Sequence, residues 1–219
     1  VGVCLGNDML DLGASGLYGP AMNIHRTAYS GRNFEYYSED PFLSGKIAAA
    51  EVEGIQSKGV YVYIKHFALN DTESRCRCIA TFTSEQAIRE LYLKSFEMAV
   101  TEGGAKCVMN SFARIGGIWS GAHKGLQTNI LRGEWGCDGM VITDNVLNVY
   151  VNGPDGVMAG VSIYDAMMPY VTDMLPQYQN DGVIVNAMRE ACHHNLYAIA
   201  NSCGMNGVGA DTTIKVIRP

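Results

Sequence analysis

Residues 60–71 read VYVYIKHFALND, a short run of Val, Tyr and Ile that ends abruptly in a Lys-His pair and a polar turn. Aliphatic and aromatic residues packed into so few positions, with Gly59 in front, read as a buried strand. The pattern recurs along the chain. Lys106 to Phe112 closes on Asn110 and Ser111, and Met140 to Thr143 is followed at once by Asp144. Leu17 to Ile24 and Val157 to Ile163 complete the set of strand candidates. Between them, Pro41 to Gln56, Ser84 to Glu102 and Lys124 to Gly133 read as helices. The second of these begins at Thr83 or Ser84 and carries Ile88, Leu91, Tyr92, Phe96 and Val100 at three-to-four spacing, which gives it one apolar face. A last helix, Asp181 to about Asn201, repeats that spacing with Val185, Met188, Ala191, Cys192, Leu196 and Ile199, and Gly204 stops it.

Strands alternating with helices predict an α/β fold around a parallel sheet. No GxGxxG lies at a strand-to-helix turn, so a (β/α) TIM-type barrel fits better than a doubly wound nucleotide fold. A complete barrel takes about 250 residues and eight units. The 219 residues here hold fewer strands than that, so the barrel is expected to be incomplete and to lack its early strands. Residues 1–204 are assigned to this partial catalytic barrel and residues 205–219 to a C-terminal tail. The first residue, Val1 instead of Met, is in keeping with a piece of something longer.

Composition narrows the functions. With 47% hydrophobic and 17% charged residues, the chain is an ordinary globular one. A formal charge of −6, with basic residues scattered, argues against a nucleic-acid or anionic-membrane surface, since both need clustered Lys and Arg. No apolar run approaches a membrane span, and no signal peptide opens the chain, so a cytoplasmic location is expected. Seven cysteines without a repeated spacing argue against a disulfide framework and for a reducing compartment. Cys76 and Cys78 with His66, His193 and His194 offer a conceivable zinc set, but no second cysteine pair at ligand spacing supports it.

In a parallel barrel the chemistry sits at the carboxyl ends of the strands and in the loops that follow. Lys65, His66, Asn110, Ser111 and Asp144 all fall there. Asp144 follows a fully apolar run and can face a ligand; the plain alternative is a turn residue or the cap of the next helix. Lys65 and His66 should point to opposite sides if the strand continues through them. The segment SGRNFEYYSEDP, residues 30–41, mixes planar hydrogen-bonding groups with aromatic faces, as carbohydrate sites do. Arg32 is expected to face inward and Ser38 to Asp40 to cap the helix starting at Pro41.

Read together, residues 19–45 (GPAMNIHRTAYSGRNFEYYSEDPFLSG), KHFALND, SEQAIRELYLKSFEMAV, VMNSFARIGG and ILRGEWGCDGMVITDN resemble glycoside hydrolase family 3, the β-glucosidase family and its relatives. The motifs stand in family order over about residues 17–165, with a weaker continuation in MREACHHNLYAIANS. The resemblance implies a retaining β-glycosidase that removes terminal β-linked sugars, with Asp144 as nucleophile and no cofactor or metal. It also implies that Arg32, Lys65, His66 and Met109 grip the sugar, and it places Phe112 and Asn145 among the substrate-binding residues. Many members carry Tyr at the position of Phe112 and Trp at that of Asn145, so this chain lacks a hydroxyl and an aromatic wall there. The pattern at Glu73 to Arg77 is shifted, so no role is carried to Arg75 or Arg77. The hexosaminidase branch needs a GHG-type motif that KHFALND lacks. Most glucosidase-type members take the acid/base Glu from an α/β sandwich domain, which this chain lacks. The acid/base is therefore expected from outside it, through a second copy in a homo-oligomer or a complementing chain; Asp71 and Glu73 are the loop carboxylates that could substitute. The alternative is a non-catalytic sugar-binding or assembly module on the same barrel.

Overall fold

The computed structural model describes residues 1–146, 150–165 and 175–205. Of the tail expected at 205–219, residues 206–219 lie outside the described residues. A four-stranded parallel sheet forms the centre, in the order β1 (Gly16–Leu17), β2 (Tyr61–Phe67), β4 (Cys107–Asn110) and β7 (Val141–Ile142). A small second sheet joins β3 (Ala80–Thr81), β5 (Arg114–Ile115) and β6 (Ile118–Trp119). The helices are α1 (Gly2–Asp11), α2 (Pro41–Gln56), α3 (Glu85–Ala87), α4 (Lys94–Thr101), α5 (Gly153–Ala159) and α6 (Gly182–Ala200). Two π-helices, Ile88–Tyr92 and Gly125–Glu134, accompany them. The parallel α/β architecture is the one expected; among the described residues the sheet does not close into a barrel.

Alternating residues of the strands divide the core. Val62, Ile64, Val108 and Val141 pack with Val52 and Ile55 of α2, Phe96 and Ala99 of α4, and Leu131. Tyr63, Cys107, Met109 and Ile142 point the other way and meet Met140 and Ala198 of α6. Complete burial of a side chain such as Phe96 contributes roughly 1.5–3 kcal/mol. The polar ends of β2, β4 and β7 are thereby held on a rigid base. Helix α2 starts where the sequence says it should: Asp40 accepts hydrogen bonds from the amides of Phe42 (2.8 Å) and Leu43 (3.3 Å), and Pro41 opens the first turn.

Three expectations are corrected. Leu17 to Ile24 is not one strand; only Gly16–Leu17 pairs regularly, because Pro20 has no N–H to give the ladder. The chain nevertheless stays beside β2, with Lys65 donating to Pro20 O and Met22 to Lys65 O. Val157 to Ile163 is not one strand: Val157 to Ala159 form the last turn of helix α5, which is capped by Asn152 and closed by Gly160 at φ 121°, and only Ile163 bridges to Ile142. Finally, the helix expected over Ser84 to Glu102 is broken into α3, a π-turn and α4. The helix expected over Lys124 to Gly133 is present, with π-type hydrogen bonding over Gly125–Glu134.

At Gly139 two backbones nearly touch. A Cβ there would lie 1.9 Å from the carbonyl oxygen of Lys106, a backbone atom that cannot rotate away. Relief requires parting β7 from β4 at the Val108 to Met140 hydrogen bond (2.9 Å). Gly139→Ala is expected to cost about 3 kcal/mol, the upper range for overpacking, and to lower the melting temperature by roughly 6–12 °C. A melting point within 2 °C of the parent would show that the two segments can separate freely.

Candidate active site

Asp144 sits one residue beyond Thr143 at the end of β7, in a stretch sewn to residues 163–165. Thr143 donates its amide to Ile163 O (3.0 Å), Val146 donates to Asp165 O (2.7 Å), and Asp165 donates to Thr143 Oγ1 (2.9 Å). The next helix takes its cap from Asn152, so Asp144 is not the cap of that helix. One carboxylate oxygen, Oδ1, accepts from the Asn145 amide at 2.7 Å. The other, Oδ2, is buried without a hydrogen-bond partner among the described residues and faces His66 Nε2 at 3.7 Å, too far for a hydrogen bond. Burial pushes the Asp144 pKa up, against the pull of the Asn145 amide, Arg32 and Lys65.

His66 is 1% exposed, and its backbone is fixed on both sides by Asn23: His66 N donates to Oδ1 (2.8 Å), and Nδ2 donates to His66 O (3.0 Å). Burial, with the nearby charges of Arg32 and Lys65, holds its pKa well below the ordinary value, so the imidazole is neutral. Its Nδ1 has no hydrogen-bond partner among the described residues. Lys65 also turns toward the site, where Nζ lies 3.6 Å from Glu35 Oε2. Strict alternation would have sent the two side chains apart. The register of β2 against β4 slips between Ile64 and Phe67, which breaks the alternation at these two residues.

Arg32 faces inward as expected. Its Nε donates to Glu35 Oε1, and its guanidinium lies 3.6 Å from Glu73 Oε1. Glu35 thus bridges Arg32 and Lys65. Glu73 also accepts from Asn70 Nδ2 (2.9 Å), while Tyr36 donates its hydroxyl to Asn70 O (3.1 Å) and the Glu73 amide donates to Ser30 O (2.8 Å). The loop carrying Arg32 and the loop after β2 are therefore one fastened unit. With His66 neutral, two cations stand among Glu35, Glu73 and Asp144.

The other expected site residues are placed less uniformly. Phe112, 8% exposed, has Tyr150 edge-on at 5.1 Å and the Arg77 guanidinium over its ring, also at 5.1 Å. Asn145 contributes its amide to Asp144. Met109 is packed between Tyr63 and Ile142 on the sheet face away from α2 and α4. Asn110, buried at the end of β4, has no hydrogen-bond partner for its side-chain amide among the described residues. Asp71 does not join the loop carboxylates: it is 3% exposed and accepts from Ile24 N at 3.2 Å. Among the described residues no three His, Cys, Asp or Glu side chains gather to hold a metal.

Sequence reasoning missed Glu35 and Tyr150. Glu35 had a local signal, since it lies three residues from Arg32, within ion-pair reach in a helical turn. Tyr150 had none. A cleft of about 800 Å³ between the Gly125–Glu134 helix, α5 and α6 shares no residue with this site. Its buried arginine, Arg132, already donates to the carbonyls of Cys137, Gly139 and Gly160.

Residues 1–177 match the model of the glycosyl hydrolase family 3 N-terminal domain. A β-glucosidase of Ruminococcus albus is 49% identical over 137 residues, 63% of this chain and 14% of that protein. An exo-α-(1→6)-L-arabinopyranosidase of Bifidobacterium longum is 34% identical over 205 residues, 92% of this chain and 26% of that protein. Among solved structures, β-glucosidase 3B of Thermotoga neapolitana superposes with a TM-score of 0.87 at 33% identity, over 94% of this chain and 30% of that one. The chain thus spans between 14% and 30% of the length of these relatives.

Proposed function

Since the chain belongs to glycosyl hydrolase family 3, we propose that it carries the nucleophile half of a retaining β-glycosidase, β-glucosidase-like, acting on terminal β-linked sugars. One observation supports this above the others: Asp144 Oδ2 is a buried carboxylate oxygen without a hydrogen-bond partner among the described residues, beside a neutral His66 and within the field of Arg32 and Lys65. Those cations favour its ionised form, as a nucleophile requires. Oδ2 attacks the anomeric carbon. The bond from that carbon to the leaving oxygen breaks with its electron pair going to oxygen, which takes a proton from a second carboxyl group. In the return step water attacks the same carbon, gives its proton to that second group, and frees Asp144. Arg32, Lys65 and His66 bind sugar hydroxyls. The surplus negative charge of the three carboxylates favours positive charge developing at the anomeric carbon.

The second carboxyl group is not among the described carboxylates beside Asp144. Glu35 and Glu73 are both ion-paired to Arg32, and Asp71 is turned to Ile24. The same observation favours the second reading, a module that binds sugar without turnover. A donor with a very good leaving group separates the two, because it needs no acid. Incubation with 2,4-dinitrophenyl 2-deoxy-2-fluoro-β-D-glucoside should attach one fluoroglucosyl group, mapped to Asp144 by peptide mass spectrometry. Binding of glucose by the folded chain without any labelling would overturn the nucleophile role and leave the sugar-binding module.

A further inference from the structure

Tyr150 belongs to no motif, yet its ring is 9% exposed and stands edge-on to both Phe112 (5.1 Å) and Trp119 (5.7 Å). Trp119 is itself anchored, donating its indole N–H to Ser111 O at 2.9 Å. From this aromatic seat the phenol of Tyr150 donates to the backbone carbonyl of Asp144 at 2.8 Å. That carbonyl and the Asn145 N–H belong to one planar peptide group. The N–H of the group is the donor that holds Asp144 Oδ1 at 2.7 Å. We propose that Tyr150 is a positioning residue for Asp144, clamping the 144–145 peptide so that this peptide fixes Oδ1 and aims Oδ2 at the substrate. The assignment rests on Asp144 being the nucleophile.

The mechanics follow from the geometry. A carboxylate held by the amide of the next residue is as well oriented as that peptide plane, because rotation of the plane carries the N–H away from Oδ1. Residues on either side are pinned, Thr143 through Ile163 and Val146 through Asp165, but neither bond fixes the rotation of the 144–145 plane itself. The Tyr150 phenol does. Phe112 and Trp119 keep the phenol in place by packing, so deleting the hydroxyl removes the clamp and leaves the rings. Misorientation of a reacting group by a fraction of an ångström is sufficient to slow a displacement severalfold or more.

The test is the rate of Asp144 labelling by 2,4-dinitrophenyl 2-deoxy-2-fluoro-β-D-glucoside in the full chain. Tyr150→Phe should label about 10–100-fold more slowly, as expected for a lost orienting contact, while the concentration giving half-maximal rate changes by less than about twofold. The acid limb of the labelling rate should also move to higher pH, since the Asn145 amide that favours ionised Asp144 is no longer held to it. Installing 4-aminophenylalanine at position 150 restores a donor and should restore the rate. A Tyr150→Phe protein that labels within twofold of the parent with the same acid limb overturns the clamp alone. A parent chain that fails to label overturns the nucleophile and the clamp together. Should the Phe variant not fold, the 13Cζ resonance of Tyr150 in the parent decides: it should shift on glycosylation of Asp144, and a stationary resonance overturns the clamp.

Discussion

Asp144→Asn is expected to abolish transfer of the fluoroglucosyl group and to reduce release of dinitrophenolate from the activated glucoside at least about a thousandfold, the scale on which enzymes lose rate with their nucleophile. The amide has nearly the shape of the carboxylate, and its oxygen can still accept from the Asn145 N–H, so the loop should keep its course. What disappears is the negative charge and the nucleophilic Oδ2. Burial opposes that charge in the parent, so the variant should melt no lower than the parent and a little higher above neutral pH. Intact folding with lost chemistry is the expected signature. Release of dinitrophenolate at more than a tenth of the parental rate, or a label mapped to Glu35 or Glu73, would assign the nucleophile elsewhere.

The second large effect concerns stability. Burial pushes the Asp71 carboxyl up to about 7, against the weaker pull of the Ile24 amide and of Arg26. An acid whose folded pKa is raised binds its proton more tightly in the folded state. Its stabilising contribution is therefore complete below the unfolded value near 4 and drains away as pH rises toward 7. Over that window the parent should lose about 4 kcal/mol through this one group, at about 1.4 kcal/mol for each tenfold change in proton affinity. Asp71→Asn keeps an acceptor for Ile24 and has no proton to lose. Its stability relative to the parent should thus rise by up to about 4 kcal/mol between pH 4 and pH 8, measured by urea unfolding at both. Parallel stability-against-pH curves for the two proteins would show that Asp71 is already ionised in the fold.

These two aspartates show what can and cannot be read from a sequence. Asp144 was legible because an apolar strand followed by a carboxylate is a local pattern, and the parallel architecture sends all such strand ends to one side. Helices α2 and α6 were legible for a similar reason: Asp40 with Pro41, and Asp181, mark their starts by local capping. The run Val157 to Ile163 failed because short apolar stretches suit either a strand or a buried helix, and its first three residues were claimed by α5, whose ends are set by Asn152 and Gly160. Asp71 looked like a loop carboxylate and is in fact a buried partner of Ile24, 47 positions away in sequence. Tyr150 and the bridging role of Glu35 depend on loops meeting in space. The slip of β2 that turns both Lys65 and His66 to the site is set by its pairing with β4, and no pattern within β2 encodes it.

The ladder of charges from Lys65 through Glu35 and Arg32 to Glu73 has a thermodynamic consequence. Long cationic side chains forfeit up to about 2 kcal/mol each of rotamer freedom when they are immobilised. Here Arg32 and Lys65 are held by carboxylates of the protein itself, so that entropy is surrendered during folding. On the proposed function, a sugar arriving at these groups meets donors already in place, and its hydrogen bonds need not be discounted for freezing the side chains that make them. Cutting the ladder at Glu35 would leave the cations present but mobile, with the loss appearing as a less favourable entropy of sugar binding.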